Sequence, residues 1–399
     1  MADVVERYLT LGLRLGRHVD GFVDAYYGPE ELKTAVDEEE LGSPQALRDG
    51  AAALERDLAA ADLEPQRKAW LADQVHGIQV AAGVLAGEGL SYSDEVEGCY
   101  GVRPTGWSED TYREVHERLD ELLPPGDSLL ERFEGWRESR AVPASKMVPA
   151  LLAVVEVLRT RAALLVDLPE GEALVVEEVQ DEPWWAFNYY LGQLRSRVVV
   201  NSDTLTTASD IVTLASHEVY PGHHTEHAMK EELLVEGRGW LEETLLLVPT
   251  PQSVVAEGIA EAGLGVIIDD ELREELEAAL VAEGLKPELE LAEQVTQARR
   301  PLRRVGLDVA LLVHEHGASP EEAKAHYERW ALARPERAAQ SLRFVTDPTW
   351  RSYVICYSAG VDLCDRYAAG DPNRFRTLLT EQVRVADLLA SGRPPLSPR

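Results

Sequence analysis

The chain has 399 residues, 45% hydrophobic and 28% charged, and no apolar run of the length a bilayer span requires, so it reads as a globular protein outside the membrane. Its formal net charge of -32 repels phosphate backbones and anionic lipid surfaces, which excludes nucleic acid and membranes as expected partners. Cys99, Cys356 and Cys364 form no C-x-x-C pair and no regular framework, and the N-terminal segment lacks the basic start and apolar block of a signal peptide. A cytoplasmic protein with core thiols is expected.

In chain order, apolar residues recur at three- and four-residue spacing over 4–19, 46–63, 70–85, 112–123, 147–166, 208–218, 254–268 and 289–313, which predicts a mainly α protein. Pro301 lies inside the last of these, so that helix is either kinked or divided in two. Between 172 and 201 the stretches ALVVEEV, WWAFNYY and SRVVVN are rich in β-branched and aromatic residues and predict short antiparallel strands. Leu191-Gly192-Gln193 turns the chain between the last two strands, and Trp184 and Trp185 read as packing aromatics. Thr207 and Asp210 are then spaced as a capping box at the start of the next helix. A small antiparallel hairpin or sheet therefore leads into a helix that ends on His217-Glu218.

The run His217-Glu218-Val219-Tyr220-Pro221-Gly222-His223-His224 carries the chemistry. A hydrolytic zinc site needs converging imidazoles and a carboxylate beside the attacking water, and this run supplies both. It is not H-E-x-x-H: His217 and His223 are six residues apart, which an ideal helix places about 120° from facing together. Pro221 lacks an amide donor and clashes with the carbonyl of His217, so the helix is expected to break or bulge there. A turn absorbing two residues brings His223 to the position of the second ligand. His224, seven residues from His217, lies on the same ideal face but about 10.5 Å along the axis, and is the weaker candidate. Downstream, Glu257 and Glu261 share one face of an apolar helix. Glu257 precedes Gly258, which admits a close backbone, and is the preferred third ligand, with Glu261 supporting an imidazole. Arg343 and Arg351 are candidate clamps for a substrate carboxylate, and His314, near a helix end, is either structural or substrate-contacting.

The runs HEVYPGHH and AEGIAE resemble the metallopeptidase-like family called domain of unknown function 885, whose hallmark is His-Glu-x-x-Pro-Gly-His followed by Glu-Gly-x-Ala. The resemblance extends to RRPLRRVGLDVALLVHEHGASPEEA, through Asp308, His314 and Gly317, and to DPTWRSYVICYSAG, where Tyr357 and Gly360 match a Ser-Tyr-x-x-Gly stretch. Departures are Glu226 for glutamine, Ile259 for tryptophan, Cys356 for the serine before Tyr357, and two extra residues between Asp308 and His314. The resemblance implies a helical zinc-peptidase-like fold around a deep cleft. The expected organisation is an N-terminal helical region, 1–170, and a metal-site catalytic region, 171–399, in one continuous unit. The expected activity is hydrolysis of peptide bonds, with Zn²⁺ held by His217, His223 and Glu257, Glu218 as general base and Tyr357 donating to the oxyanion. A metal-dependent amidase acting on a non-peptide metabolite and a non-catalytic metal-stabilised binding protein are the alternatives. A structural metal site would not require Glu218.

Overall fold

The computed structural model describes residues 3–182 and 184–391. It is mainly helical, with two small sheets. The predicted helices form within a few residues of the expected limits: Val4–Gly16, Pro44–Ala60, Pro65–Leu85, Glu109–Leu122, Ala144–Ala162, Ala208–Glu218 and Pro251–Ile267. Their starts follow capping chemistry. Asp3 accepts the amide of Val5, and Ser43 that of Ala46. At Pro301 the long periodic stretch divides into Leu289–Arg299 and Val305–His314, joined by a 3-10 turn over Arg300–Arg304, because proline cannot continue the hydrogen-bond ladder.

The larger sheet has three strands, Ala173–Val179, Ala186–Gly192 and Arg195–Asn201, with the last in the middle. The last two form the expected antiparallel hairpin. The first strand corrects the expectation of an all-antiparallel arrangement, since it pairs parallel to Arg195–Asn201. The reason is topological: the chain runs past the central position after Val179, and the hairpin then folds its returning strand into that gap. Gln193 and Leu194 turn the hairpin with positive φ values of 56° and 58°, unusual for residues with side chains. Glu231 holds the turn by accepting both amides, Gln193 at 2.8 Å and Leu194 at 3.0 Å.

The second sheet, unforeseen because its strands are too short for a periodic signal, pairs Val23–Tyr26 antiparallel with Leu245–Leu247. Val23 faces Leu247 and Ala25 faces Leu246, so Asp24 is the extra residue of a β-bulge.

Helix Pro251–Ile267 is the axis of the site. It is buried on nearly all sides, as expected for a helix apolar all round. Gly258 lies against the backbone of Gly360, and a Cβ at either glycine would collide with a carbonyl oxygen of the other segment. That close approach brings the π-helical turn Cys356–Gly360 against the helix that carries Glu257. The helix Ala208–Glu218 buries Ile211, Val212, Leu214 and Ala215 in one core cluster with Val198 and Val200 of the sheet and with Leu272 and Leu276. Its capping box is present, and Arg137 pairs with Asp210 at 3.0 Å, which fixes the start of the helix.

Candidate metal centre

The helix Ala208–Glu218 stops at the motif, and a new helix, His223–Lys230, begins after four intervening residues. The amides of Val219 and Tyr220 both bond to the carbonyl of Ala215, and Thr225 returns both its amide and its hydroxyl to the carbonyl of Val219. Gly222 lies so close to the carbonyl of His217 that no side chain fits there. The Pro-Gly pair thus ends one helix and starts the next within van der Waals contact of it. As a result the His217 and His223 rings lie edge to face, with centroids 4.7 Å apart.

Ligating atoms of His217, His223 and Glu257 all lie within 4.8 Å of one another. Nε2 of His217 is 3.6 Å from Oε2 of Glu257, and Nε2 of His223 is 3.9 Å from Oε1. These separations are too long for hydrogen bonds and fit groups arranged around a cation with bonds of about 2 Å. Oε2 of Glu257 is buried without a hydrogen-bond partner, an orphaned acceptor that a cation would satisfy. Two nitrogens and one oxygen are a donor set suited to zinc. The residues present therefore fit the metal that the sequence implies.

Neighbouring groups orient two of the three side chains, His217 and Glu257. Oε1 of Glu261 lies 3.6 Å from Nδ1 of His217, and Arg303 pairs with the other oxygen of Glu261. Tyr353 donates its hydroxyl to Oε1 of Glu257 at 2.6 Å. Burial alone would lower the pKa of His217, but Glu218, Glu257 and Glu261 outweigh it and raise it. Burial lowers His223 well below its ordinary value, with His217 adding to the effect. Burial raises Glu257 against the opposing pull of His217. Glu261 is lowered despite its burial, because Arg303 and His217 favour its charged form. Burial also pushes Glu218 up to about 7, opposed by His217 and assisted by Glu257 and Glu261. Asn188, on the hairpin, donates to the main-chain carbonyl of Glu218 at 2.5 Å and ties the sheet to the motif.

The structure sends His224 elsewhere. Its ring is fully buried, with Nδ1 2.8 Å from the hydroxyl of Ser196 and Nε2 2.8 Å from Glu172. Glu172 also accepts from Tyr220 at 2.5 Å and Arg159 at 2.6 Å. These bonds overcome the effect of burial and hold the Glu172 carboxyl down at about 2. His314 gives its Nε2 to the carbonyl of Val345 at 2.7 Å and stacks on Tyr92. The guanidinium of Arg351 is taken up by Glu95, so the expected carboxylate clamp is instead one half of an internal ion pair. Tyr357, 36% exposed, sits edge-on to Tyr353 at 5.5 Å and within electrostatic reach of Glu257 and Glu218.

Four residues of this neighbourhood escaped the sequence reading: Tyr353, Arg303, Asn188 and Asp24. Tyr353 stands four residues before Tyr357 and Arg303 inside RRPLRRVGLD, so the family-like stretches contained a signal for both. Tyr353→Phe keeps the ring and removes only the bond to Glu257. Zinc affinity measured by chelator competition is expected to fall about 10- to 100-fold, the usual effect of losing a partner of a metal ligand. Unchanged affinity would make that bond incidental.

No known family model matches the chain, and no curated protein matches its sequence. Among solved structures, a protein described as a lipoprotein from Colwellia psychrerythraea aligns with a TM-score of 0.56 at 14% identity, over 88% of this chain. The chain spans 66% of the length of that protein, just under two thirds. An M32 carboxypeptidase from Deinococcus radiodurans R1 aligns with a TM-score of 0.38 at 12% identity, over 94% of this chain and 88% of the other. The first likeness shows a shared fold and speaks to no chemistry. The second is too weak to carry an argument. Among the described residues, no helix is long and apolar enough to cross a membrane.

Proposed function

We propose that this chain is a zinc-dependent hydrolase of the metallopeptidase type, related to the domain of unknown function 885 family and cleaving peptide bonds. The observation that carries the reading is the convergence of His217, His223 and Glu257 around an orphaned carboxylate oxygen, beside an acid that is not one of the three. A zinc ion in this site supplies Lewis acidity, which polarises a carbonyl and lowers the pKa of water to near 7. The remaining work belongs to the chain. Glu218 accepts the proton of the attacking water and returns it to the leaving amine, a role suited to a carboxyl near neutrality. Glu261 and Tyr353 hold His217 and Glu257 in the orientation the triad needs. A cytoplasmic setting agrees with three cysteines that are buried and unpaired.

Tyr357 is the proposed oxyanion donor, since its phenol is exposed beside Glu257 and Glu218 and has no hydrogen-bond partner among the described residues. Tyr357→Phe is expected to lower kcat about 10²- to 10³-fold with little change in KM, because the bond matters mainly in the transition state. Steady-state kinetics decide it, and a normal kcat returns Tyr357 to a packing role. The reading as a whole is tested by metal analysis of the purified chain, followed by hydrolysis of a mixed peptide library with and without chelator. Chelator-sensitive cleavage is the expected result. A zinc-loaded chain that cleaves nothing overturns the peptidase assignment.

A further inference from the structure

The helix His223–Lys230 is packed on every side but one. Only His223 and His227 keep part of their surface open, and the other six residues are buried. Residues four apart lie on one helical face, with Cβ atoms about 5–6 Å apart. The open side of His223 is the metal side, where its ring meets His217 edge to face and its Nε2 stands 3.9 Å from Glu257. His227 therefore lines the same opening one turn further on.

The imidazole of His227 stacks on Tyr190, with centroids 4.8 Å apart and planes 23° from parallel. Tyr190 is itself buried, gives its hydroxyl to Glu231 and meets Tyr27 edge to face at 5.1 Å. One face of the His227 ring is thus fixed, yet its nitrogens bond to no described residue. The nearest acids along the chain are engaged elsewhere: Glu226 pairs with Lys230 at 2.6 Å, and Glu231 accepts from Tyr190, Gln193 and Leu194. Burial holds the imidazole down at about 4, so near neutral pH it is uncharged and offers one donor and one acceptor. A half-buried polar group that is held in place without a partner in the protein is suited to a partner that arrives with the substrate. Four residues advance a helix by about 6 Å, and an extended peptide advances roughly 3.3–3.6 Å per residue. On a peptide lying along this face, His227 stands about two residues from the bond held at the metal.

We propose that His227 is a substrate-binding residue that donates a hydrogen bond to a peptide oxygen about two residues from the scissile bond. The shared chemistry is an oxygen acceptor, either a main-chain carbonyl or a terminal carboxylate. His227 thereby selects for peptide length and end group, with no part in holding the metal or moving the proton. This inference rests on the zinc-hydrolase reading.

The test uses the full chain loaded with zinc and a set of chelating probes in titration calorimetry. Acetohydroxamate grips the metal alone. The hydroxamate of a blocked Pro-Leu-Gly peptide extends main-chain carbonyls to the amino side, and a succinyl hydroxamate of Leu-Phe extends to the carboxyl side, made both as the amide and as the free acid. In His227→Phe, which keeps a ring stacked on Tyr190, at least one extended probe is expected to weaken, roughly 3- to 10-fold for a carbonyl acceptor and roughly 10- to 100-fold for a carboxylate. Zinc content, Tm and affinity for acetohydroxamate stay as in the wild type. A loss confined to the free acid identifies a terminal carboxylate, and a loss shared by acid and amide, or shown by the Pro-Leu-Gly probe, identifies a carbonyl. The proposal is overturned if every extended probe binds His227→Phe as tightly as the wild type, or if the variant loses zinc or affinity for acetohydroxamate. Peptide hydrolysis separates the two readings. A His227-dependent affinity in a zinc-loaded chain that cleaves no peptide leaves the subsite standing and removes the peptidase. Library cleavage accompanied by probe affinities indifferent to His227 does the reverse.

Discussion

His217→Ala and Glu257→Ala are each expected to abolish tight zinc binding by a chain that otherwise carries about one ion per molecule. Each removes one of only three protein ligands, and the two survivors cannot close the site. His223→Ala should lose zinc to a similar degree, whereas His224→Ala should retain it. The distinction follows from the geometry, because the ring of His223 faces His217 while His224 is bonded on both nitrogens to Ser196 and Glu172. The His224 variant should pay in stability instead, by about 1–3 kcal/mol, since it strands buried partners of that network. Metal analysis after dialysis against a weak chelator, with thermal unfolding of each variant, reads both effects. Full zinc retention in His217→Ala and Glu257→Ala would remove the metal centre, and zinc loss confined to His224→Ala would mean that the other imidazole is the ligand.

The preference for His223 over His224 was legible in the sequence for a local reason. Pro221 and Gly222 act on backbone geometry within one turn of His217, so the break in the helix follows from steric rules that need no knowledge of the rest of the chain. The same holds for the capping box at Thr207 and for the division at Pro301. What the sequence left illegible depends on contacts between distant segments. Tyr353 meets Glu257 across 96 positions and Asn188 meets Glu218 across 30, and neither pairing leaves a periodic trace. Arg351 looked available because its partner, Glu95, lies 256 positions away. Asp24 sits in a four-residue strand paired with one more than 200 residues later, a pairing that only the fold reveals. The parallel pairing of Ala173–Val179 was hidden for a related reason, since strand composition does not encode strand order.

Glu218→Gln is expected to keep zinc and lose hydrolysis, with kcat reduced about 10²- to 10⁴-fold, the contribution typical of a general base. The substitution is close to isosteric, and the one bond that ties this residue to the sheet comes from Asn188 to its main-chain carbonyl, which the change does not touch. Glu218 is also outside the group of side chains able to share one ion, so the triad should load as before. What changes is proton affinity: burial holds the Glu218 carboxyl near 7, high enough to accept a proton from water at neutral pH, whereas an amide accepts none. The limb of the pH-rate profile that reports deprotonation of this base should accordingly vanish from the residual activity of the variant. Metal content and kinetics measured on the same preparation separate the possibilities. Loss of zinc together with activity would make Glu218 a ligand, and turnover at the wild-type rate with zinc in place would pass the role of base to another acid of the site.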